Sequence, residues 1–299
     1  MSVNIPDHFI EQFTSNVAHL LQIRGGKFRP HVTEASYQGE AAAAVDQFGA
    51  VDMQEITGRF QPMGRVDITT DRRWIHPVDY SLPQMVDTFD KLRLMLDPQS
   101  MLAQAAVQGT LRKQDQVIAD AFFGDAKTGK SGGSTEQFDT TNHRIDAAIG
   151  AGADTGFNID KLLAGLELLE DNNVDIEMEQ PIVAITPKQH GDLLRQTQVI
   201  NTDYYTKSGA PVLASDGRIK EIAGVKIIVS KLVPSNSSYR LCPMWVPSGM
   251  HMGVWADVKS SVSVRNDIEG EPYQLYTRTT VGATRLEAGR VIQIECTEA

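Results

Sequence analysis

DVKSSVSVRNDIEGEPYQLYTRTTVGATRLEAGRVIQIECTEA, residues 257–299, decides how the chain is read. Along Tyr273–Gly282 the side chains alternate. Tyr273, Leu275, Thr277, Thr279 and Val281 fall on one face, and a polar set on the other. A period of two marks a strand with one face buried. Glycines divide the run into successive strands. Nothing in it supplies a nucleophile, a ligand cluster or a cofactor fingerprint. Any chemistry must therefore come from upstream.

Upstream, the pattern is mixed. Phe9, Phe13, Val17, Leu20 and Leu21 recur at helical spacing within Asp7–Ile23, with Asp7 as the cap and Gly25-Gly26 as the stop. From Lys27 to Pro83 no element has a core-building pattern. HVTEASYQ (31–38) and EITGRFQ (55–61) are strand-like but polar, and Trp74, Ile75 and Val78 carry the apolar signal near its end. So long a stretch without a core of its own reads as an ordered arm, a hairpin whose partners lie in other chains.

Met85, Val86, Phe89, Leu92 and Leu96 place a helix over 83–96. A longer one opens at Asp97-Pro98, with aspartate as the cap and proline in the first turn, and runs to Phe123. The Gly-, Ser- and Thr-rich run 124–156 reads as a surface loop. Asn158 caps a helix to Asp171 with Ile159, Leu162, Leu163, Leu166 and Leu169 inward. PIVAIT (181–186) is a buried strand, and Pro187–Thr197 a helix. Residues 201–215 form a loop holding Tyr204 and Tyr205. Arg218–Ser230 is a hairpin turning at Ala223-Gly224, and two strands flank Pro247-Ser248-Gly249.

The composition is that of an ordinary globular chain: 299 residues, 41% hydrophobic and 22% charged. A net charge of −10 argues against a global attraction to nucleic acid or anionic membrane. No apolar run approaches a membrane span, and the N-terminus lacks a secretory pattern. Cys242 and Cys296, far apart among apolar strand residues, read as two buried thiols of a reducing compartment in preference to a disulfide.

One tempting motif fails on context. Gly124–Ser131, GDAKTGKS, matches the phosphate-loop pattern letter for letter, with Lys130 and Ser131 in the key places. That chemistry needs a strand before the loop and a helix N-terminus after it, so that backbone amides face the phosphates. Here a helix precedes, and Gly132-Gly133-Ser134-Thr135 follows. The acidic run from Asp171 resembles a calcium loop but has Ile176 where glycine is required and Ile182 where glutamate is required. The seven histidines show no zinc spacing, and Ser248 lacks a nucleophile elbow. These residues point to no catalytic group, no metal and no cofactor.

The order of elements then carries the signal. Arg72–Tyr80 leads into the first helix of the body, and Asp97-Pro98-Gln99-Ser100 opens a long helix that Ala121–Gly124 closes. Thr186-Pro187 precedes a short helix. Gly217–Ile219, Ile222–Ile227 and Ser230–Pro234 form a hairpin, and Arg278–Arg285 a late long strand. Together these resemble the major capsid proteins of tailed bacteriophages, whose fold encapsulin shells share.

The resemblance implies an α+β fold in four parts. These are an N-terminal arm (1–27), an extended β-hairpin loop (28–82), a peripheral domain with a long spine helix and a sheet (83–155 and 257–290), and an α/β axial domain (156–256 and 291–299). It implies a structural subunit, made in a bacterial cytoplasm, that assembles as hexamers and pentamers into an icosahedral head around double-stranded DNA. The DNA would be touched only weakly and non-specifically. Implied partners are copies of itself, a separate scaffolding protein, a portal protein at one vertex and a decoration protein. No lysine lies between Lys27 and Lys91, so the lysine crosslink of some members has no nucleophile on this arm. The start at Met1 implies little or no maturation cleavage. Arg59, Arg65, Arg72, Arg73 and Trp74 are the expected contacts with neighbouring subunits. The competing readings are an encapsulin-like compartment and, from another class, a nucleotide-binding protein using Gly124–Ser131.

Overall fold

The computed structural model describes residues 25–49, 51, 53, 55, 58, 67–86, 98–150, 152–196, 218–236 and 238–298. The helix expected over 7–23, residues 87–96 of that expected over 83–96, and the 201–215 loop lie outside these residues.

In chain order the strands and helices are β1 (Thr33–Ser36), β2 (Ala42–Phe48), β3 (Thr70–Ile75), β4 (Val78–Val86), α1 (Pro98–Phe123), β5 (Ala126–Thr128), β6 (Ser134–Glu136) and β7 (Arg144–Ile145). There follow α2 (Ile159–Asp171), β8 (Ile182–Ile185), α3 (Pro187–Leu194), β9 (Glu221–Ile222), β10 (Val225–Val229), β11 (Arg240–Trp245), β12 (Met250–Val264), β13 (Tyr273–Arg285) and β14 (Val291–Cys296).

They form three sheets. The first is ordered β1-β12-β13-β4 and lies against α1. Leu275, Thr277, Thr279 and Val281 of β13 are buried, and Thr279 Oγ1 accepts from Gln114 Nε2 of α1 at 3.3 Å. The alternation read from the sequence is therefore the face that meets the long helix. The second sheet is ordered β7-β14-β11-β8-β10-β9. All four residues of β8 are buried, as a strand covered on both faces requires. The third sheet, β2-β3-β5-β6, is small and stands at the base of the arm.

Local chemistry explains the helix starts and one turn. Asn158 accepts from the Lys161 N–H and caps α2. Thr186 and Gln189 form a reciprocal capping box ahead of α3, with Pro187 in its first turn. Ala223 and Gly224 have φ of 50° and 79°, the left-handed pair that a tight two-residue hairpin needs.

Several expectations are corrected. Pro83–Val86 is strand, not helix: it ends β4, which pairs antiparallel with β13 from Tyr273↔Val86 to Val281↔Val78. The helical period there is overridden by a partner far along the chain. Arg72–Tyr80 leads into that strand accordingly. The 28–82 stretch is not wholly an arm. Phe28 is fully buried and packs edge-on to Phe122 and Trp245, and β1 joins β12 in parallel. The 124–156 loop holds β5, β6 and β7 and buries Ala126, Phe138, Ile145 and Ala147. In α2, Leu163 is 43% exposed, while Lys161 is fully buried. Finally, residues 256 and 257 lie within β12, at a place where its pairing with β13 shifts register between Val254 and Lys259.

The core is continuous across the body. Phe122, Trp245, Ile185, Leu162, Ile292 and Ile294 belong to one cluster of buried side chains that joins α1, the six-stranded sheet and α2. Both cysteines are free and buried in it.

Candidate functional site

Three of the residues singled out on the arm, Arg72, Arg73 and Trp74, lie in β3 at its base, where that strand crosses from the arm into the body. β2 and β3 pair antiparallel, with Asp46 opposite Arg72 and Val45 opposite Arg73. Successive β3 side chains therefore point to opposite faces, and the structure gives each a different partner.

Arg72 is half-exposed and its guanidinium is bonded to the Asp46 carboxylate across the pair through Nε and Nη2. That contact holds the Asp46 carboxyl below the usual carboxylate range. Arg73 is buried. Its Nε donates to the Leu286 carbonyl at 2.7 Å, and its Nη2 lies 2.5 Å from Glu136 Oε2 on β6. Trp74 donates its Nε1–H to the Gly129 carbonyl at 2.7 Å. A Cβ on Gly132 would stand 3.1 Å from the indole, so glycine with φ of 73° is what lets the β5–β6 turn lie on the ring. Arg59 and Arg65 lie outside the described residues. Of the expected contact residues that are described, all three bind their own chain, and Arg72 alone of these presents a large part of its side chain outward.

The same contacts account for the phosphate-loop letters. Gly124 follows the C-terminus of α1, whose last carbonyls present negative dipole ends. Ala126–Thr128 is strand β5, and Gly129–Gly133 is the turn into β6. The Gly129 N–H donates to Asp71 Oδ1 at 2.9 Å, and its carbonyl accepts from Trp74. This backbone is engaged by β3 side chains and forms no cradle of amides at a helix N-terminus.

Several participants were invisible in the sequence. The Leu286 carbonyl accepts from both Arg73 Nε and Gln47 Nε2. A backbone acceptor leaves no residue-type signal. Asp46 and Glu136 become partners only once the β2–β3 and β5–β6 registers are known.

Beyond this base, several apolar side chains among the described arm residues are uncovered. Phe48 is 74% exposed, Met53 is fully exposed, and Val51 and Ile68 are each more than half exposed. A groove of about 540 Å³ opens beside Phe48, lined also by Thr69, Ser248, Leu286 and Arg290. Isolated exposed apolar residues are ordinary, but several along one extended segment mark a contact surface.

Nearly the whole chain, residues 5–298, matches the sequence-family model described as phage capsid protein. The chain belongs to that family. No curated protein matches it in sequence. Among solved structures, the capsid of the cyanophage P-SCSP1u is similar over 100% of this chain and 96% of that one, with a TM-score of 0.72 at 15% identity. The mature capsid of bacteriophage PhiM1 is similar over 97% of this chain and 92% of that one, with a TM-score of 0.69 at 14% identity. The capsid of Ralstonia phage GP4 covers 99% and 98%, with a TM-score of 0.72 at 10% identity.

At such identities the likeness establishes the fold, and the family match establishes the role. This is a phage major capsid protein of α+β fold, a structural subunit of the icosahedral phage head, located in the virion. It works by associating with copies of itself. The expected resemblance is met, and the nucleotide-binding alternative is set aside.

Proposed function

We propose that this capsid protein builds both the hexamers and the pentamers of a head filled with double-stranded DNA, and that its arm is the element that joins neighbouring subunits. The observation that carries this reading is the apolar arm: Phe48, Val51, Met53 and Ile68 are exposed on a segment whose base is firmly held. Water-exposed apolar surface of this kind is stabilised by burial, and a second copy offers it. The three sheets support a partition of labour. The first sheet with α1 is the peripheral part, the six-stranded sheet with α2 and α3 is the axial part, and residues 1–27 are the N-terminal arm.

In this reading Arg73 and Trp74 anchor the arm within the subunit, whereas Arg72, Arg59 and Arg65 are its charges toward neighbours. The net charge of −10 supports weak, non-specific contact with packaged DNA. A separate scaffolding protein, a portal protein and a decoration protein complete the set of proposed partners.

The test is Phe48→Asp, examined by negative-stain electron microscopy and circular dichroism. The variant is expected to fold as wild type and to form no closed shells. Normal shells from Phe48→Asp would defeat the assignment of the arm as the joining element.

A further inference from the structure

α1 carries a glycine that no described contact within the chain requires. Gly109 lies inside a 26-residue helix, where glycine is among the poorest formers. Among the described residues, the nearest atoms to a Cβ placed there are Arg112 Nη2 at 3.7 Å and Leu82 Cδ2 at 3.8 Å, ordinary contact distances. Alanine would fit. Gly25 and Gly282, by contrast, each face backbone at 2.2 and 2.4 Å, and their own fold explains them.

What Gly109 does is keep the floor of a recess low. The recess, of about 560 Å³, opens between α1 and β4. Tyr80 and Leu82 line its strand side, and Gly109, Arg112 and Lys113 its helix side. β4 is the outer strand of its sheet, so this flank of the helix–sheet packing is open among the described residues. Leu82 is 36% exposed there. The Lys113 ammonium stands 4.8 Å from the centre of the Tyr80 ring. The recess thus offers one aromatic and one aliphatic wall under a basic rim.

The arm holds a complementary set. Met53 is fully exposed, and Glu55, two residues on, is exposed as well. Closed rings of copies are built from head-to-tail contacts, in which a patch meets a different patch on the next copy. An arm that joins neighbours therefore needs an acceptor away from the arm itself.

We propose that the recess between α1 and β4 is that acceptor: it receives Met53 from the arm of a second copy, and Glu55 of that arm pairs with Lys113. This rests on the reading of the arm as the joining element and adds the place where it lands. An unbranched thioether suits an irregular recess. Glycine at 109 then gives up helix stability within one subunit for room at a contact between two.

The experiment measures the yield of closed shells by negative-stain microscopy and sedimentation, and folding by circular dichroism and thermal unfolding, on full-length chains. Gly109→Leu fills the recess. It is expected to unfold at or above the wild-type temperature and to lower shell yield at least tenfold, because the contact repeats at every copy. Gly109→Ala is expected to assemble. Lys113→Glu and Glu55→Lys are each expected to lower the yield at least tenfold, and the two together to restore it, since every copy then carries the reversed pair. The charge pair lies at the rim, so its test stands even where Gly109→Leu fails to fold. Normal shells from Gly109→Leu, or a double charge variant no better than the single ones, would overturn the recess as the seat. If Phe48→Asp abolishes shells while Gly109→Leu assembles normally, the arm joins subunits but lands elsewhere. Normal shells from Phe48→Asp would remove the arm reading and this one with it.

Discussion

The carboxylate of Asp115 accepts the backbone N–H of Phe28 at 3.1 Å, and its other oxygen accepts the N–H of Lys27 at 2.9 Å. One buried side chain of α1 thus satisfies two consecutive amides where Lys27 and Phe28 meet the body. Next to them Gly25 lies so close to α1 that a Cβ would stand 2.2 Å from the Arg112 nitrogen. Phe28, placed by these bonds, packs edge-on against the tilted pair Phe122 and Trp245. Asp115→Ala should leave the buried Phe28 amide unpaired and turn the part-buried Lys27 amide to water, at a cost of about 1–3 kcal/mol. Asp115→Asn, which keeps one acceptor, should cost less. Urea unfolding of the soluble subunit checks the order. Equal stability of wild type and Asp115→Ala would remove this contact from the account of how Phe28 is held.

Gly282 faces a different constraint. It sits in β13 where β3 turns into β4, and a Cβ there would meet the His76 carbonyl oxygen at 2.4 Å and Ile75 Cγ2 at 2.7 Å. The first of these is backbone and cannot swing aside. Gly282→Ala is expected to destabilise by about 1–3 kcal/mol and to disturb the β3–β4 corner that carries the arm. Thermal unfolding measures the first effect and the yield of closed shells the second. A neutral Gly282→Ala would show that the corner yields.

How much of this was legible follows a physical line. The alternation of Leu275, Thr277, Thr279 and Val281, the Asn158 cap, the Thr186-Pro187 start and the Ala223-Gly224 turn are local, and each appears as read. Pro83–Val86 misled because its strand state depends on Tyr273–Tyr276, whose pairing no local pattern contains. The arm base was half legible. Arg73 and Trp74 stood out by residue type, but their partners are the Leu286 and Gly129 carbonyls, which any residue could supply. Lys161 was missed for a related reason: its own cap and helix position were readable, whereas its acceptors come from three separate backbone sites.

That lysine has a testable consequence. Its Nζ donates to the Thr155, Gly156 and Glu295 carbonyls at 2.8, 3.0 and 3.0 Å, which uses all three ammonium protons. It ties the start of α2 to the end of β14. Lys161→Met keeps the apolar stem but removes every donor. The loss of a buried charge recovers part of the desolvation cost, so the net expectation is about 2–3 kcal/mol of destabilisation. A lower urea midpoint at unchanged slope is the expected result. A more stable Lys161→Met would mean that desolvation of the ammonium outweighs its three bonds.

His251 gives the head an acid-sensitive seam. Thr33 Oγ1 donates to the Met250 carbonyl at 2.7 Å, so it has only lone pairs for His251 Nδ1, also at 2.7 Å. The ring must therefore carry its proton on Nδ1 and accept the Tyr37 hydroxyl at Nε2, 2.9 Å away. This neutral form latches β1 to β12. Burial pushes the His251 imidazole below its ordinary value, with Glu34 as the nearby charge pulling the other way. The unfolded chain then binds the proton more readily than the folded one, so this contribution is complete above the ordinary value of 6.5 and is lost as pH falls through the depressed native value. His31 and His190 are shifted the same way, mainly by burial. Wild type should lose stability steadily from about pH 7 to 5. His251→Asn should start less stable at neutral pH and show a shallower slope, not a flat one, because the other two histidines remain. Thermal midpoints across that range decide it, and an unchanged slope in His251→Asn would show that the latch does not titrate.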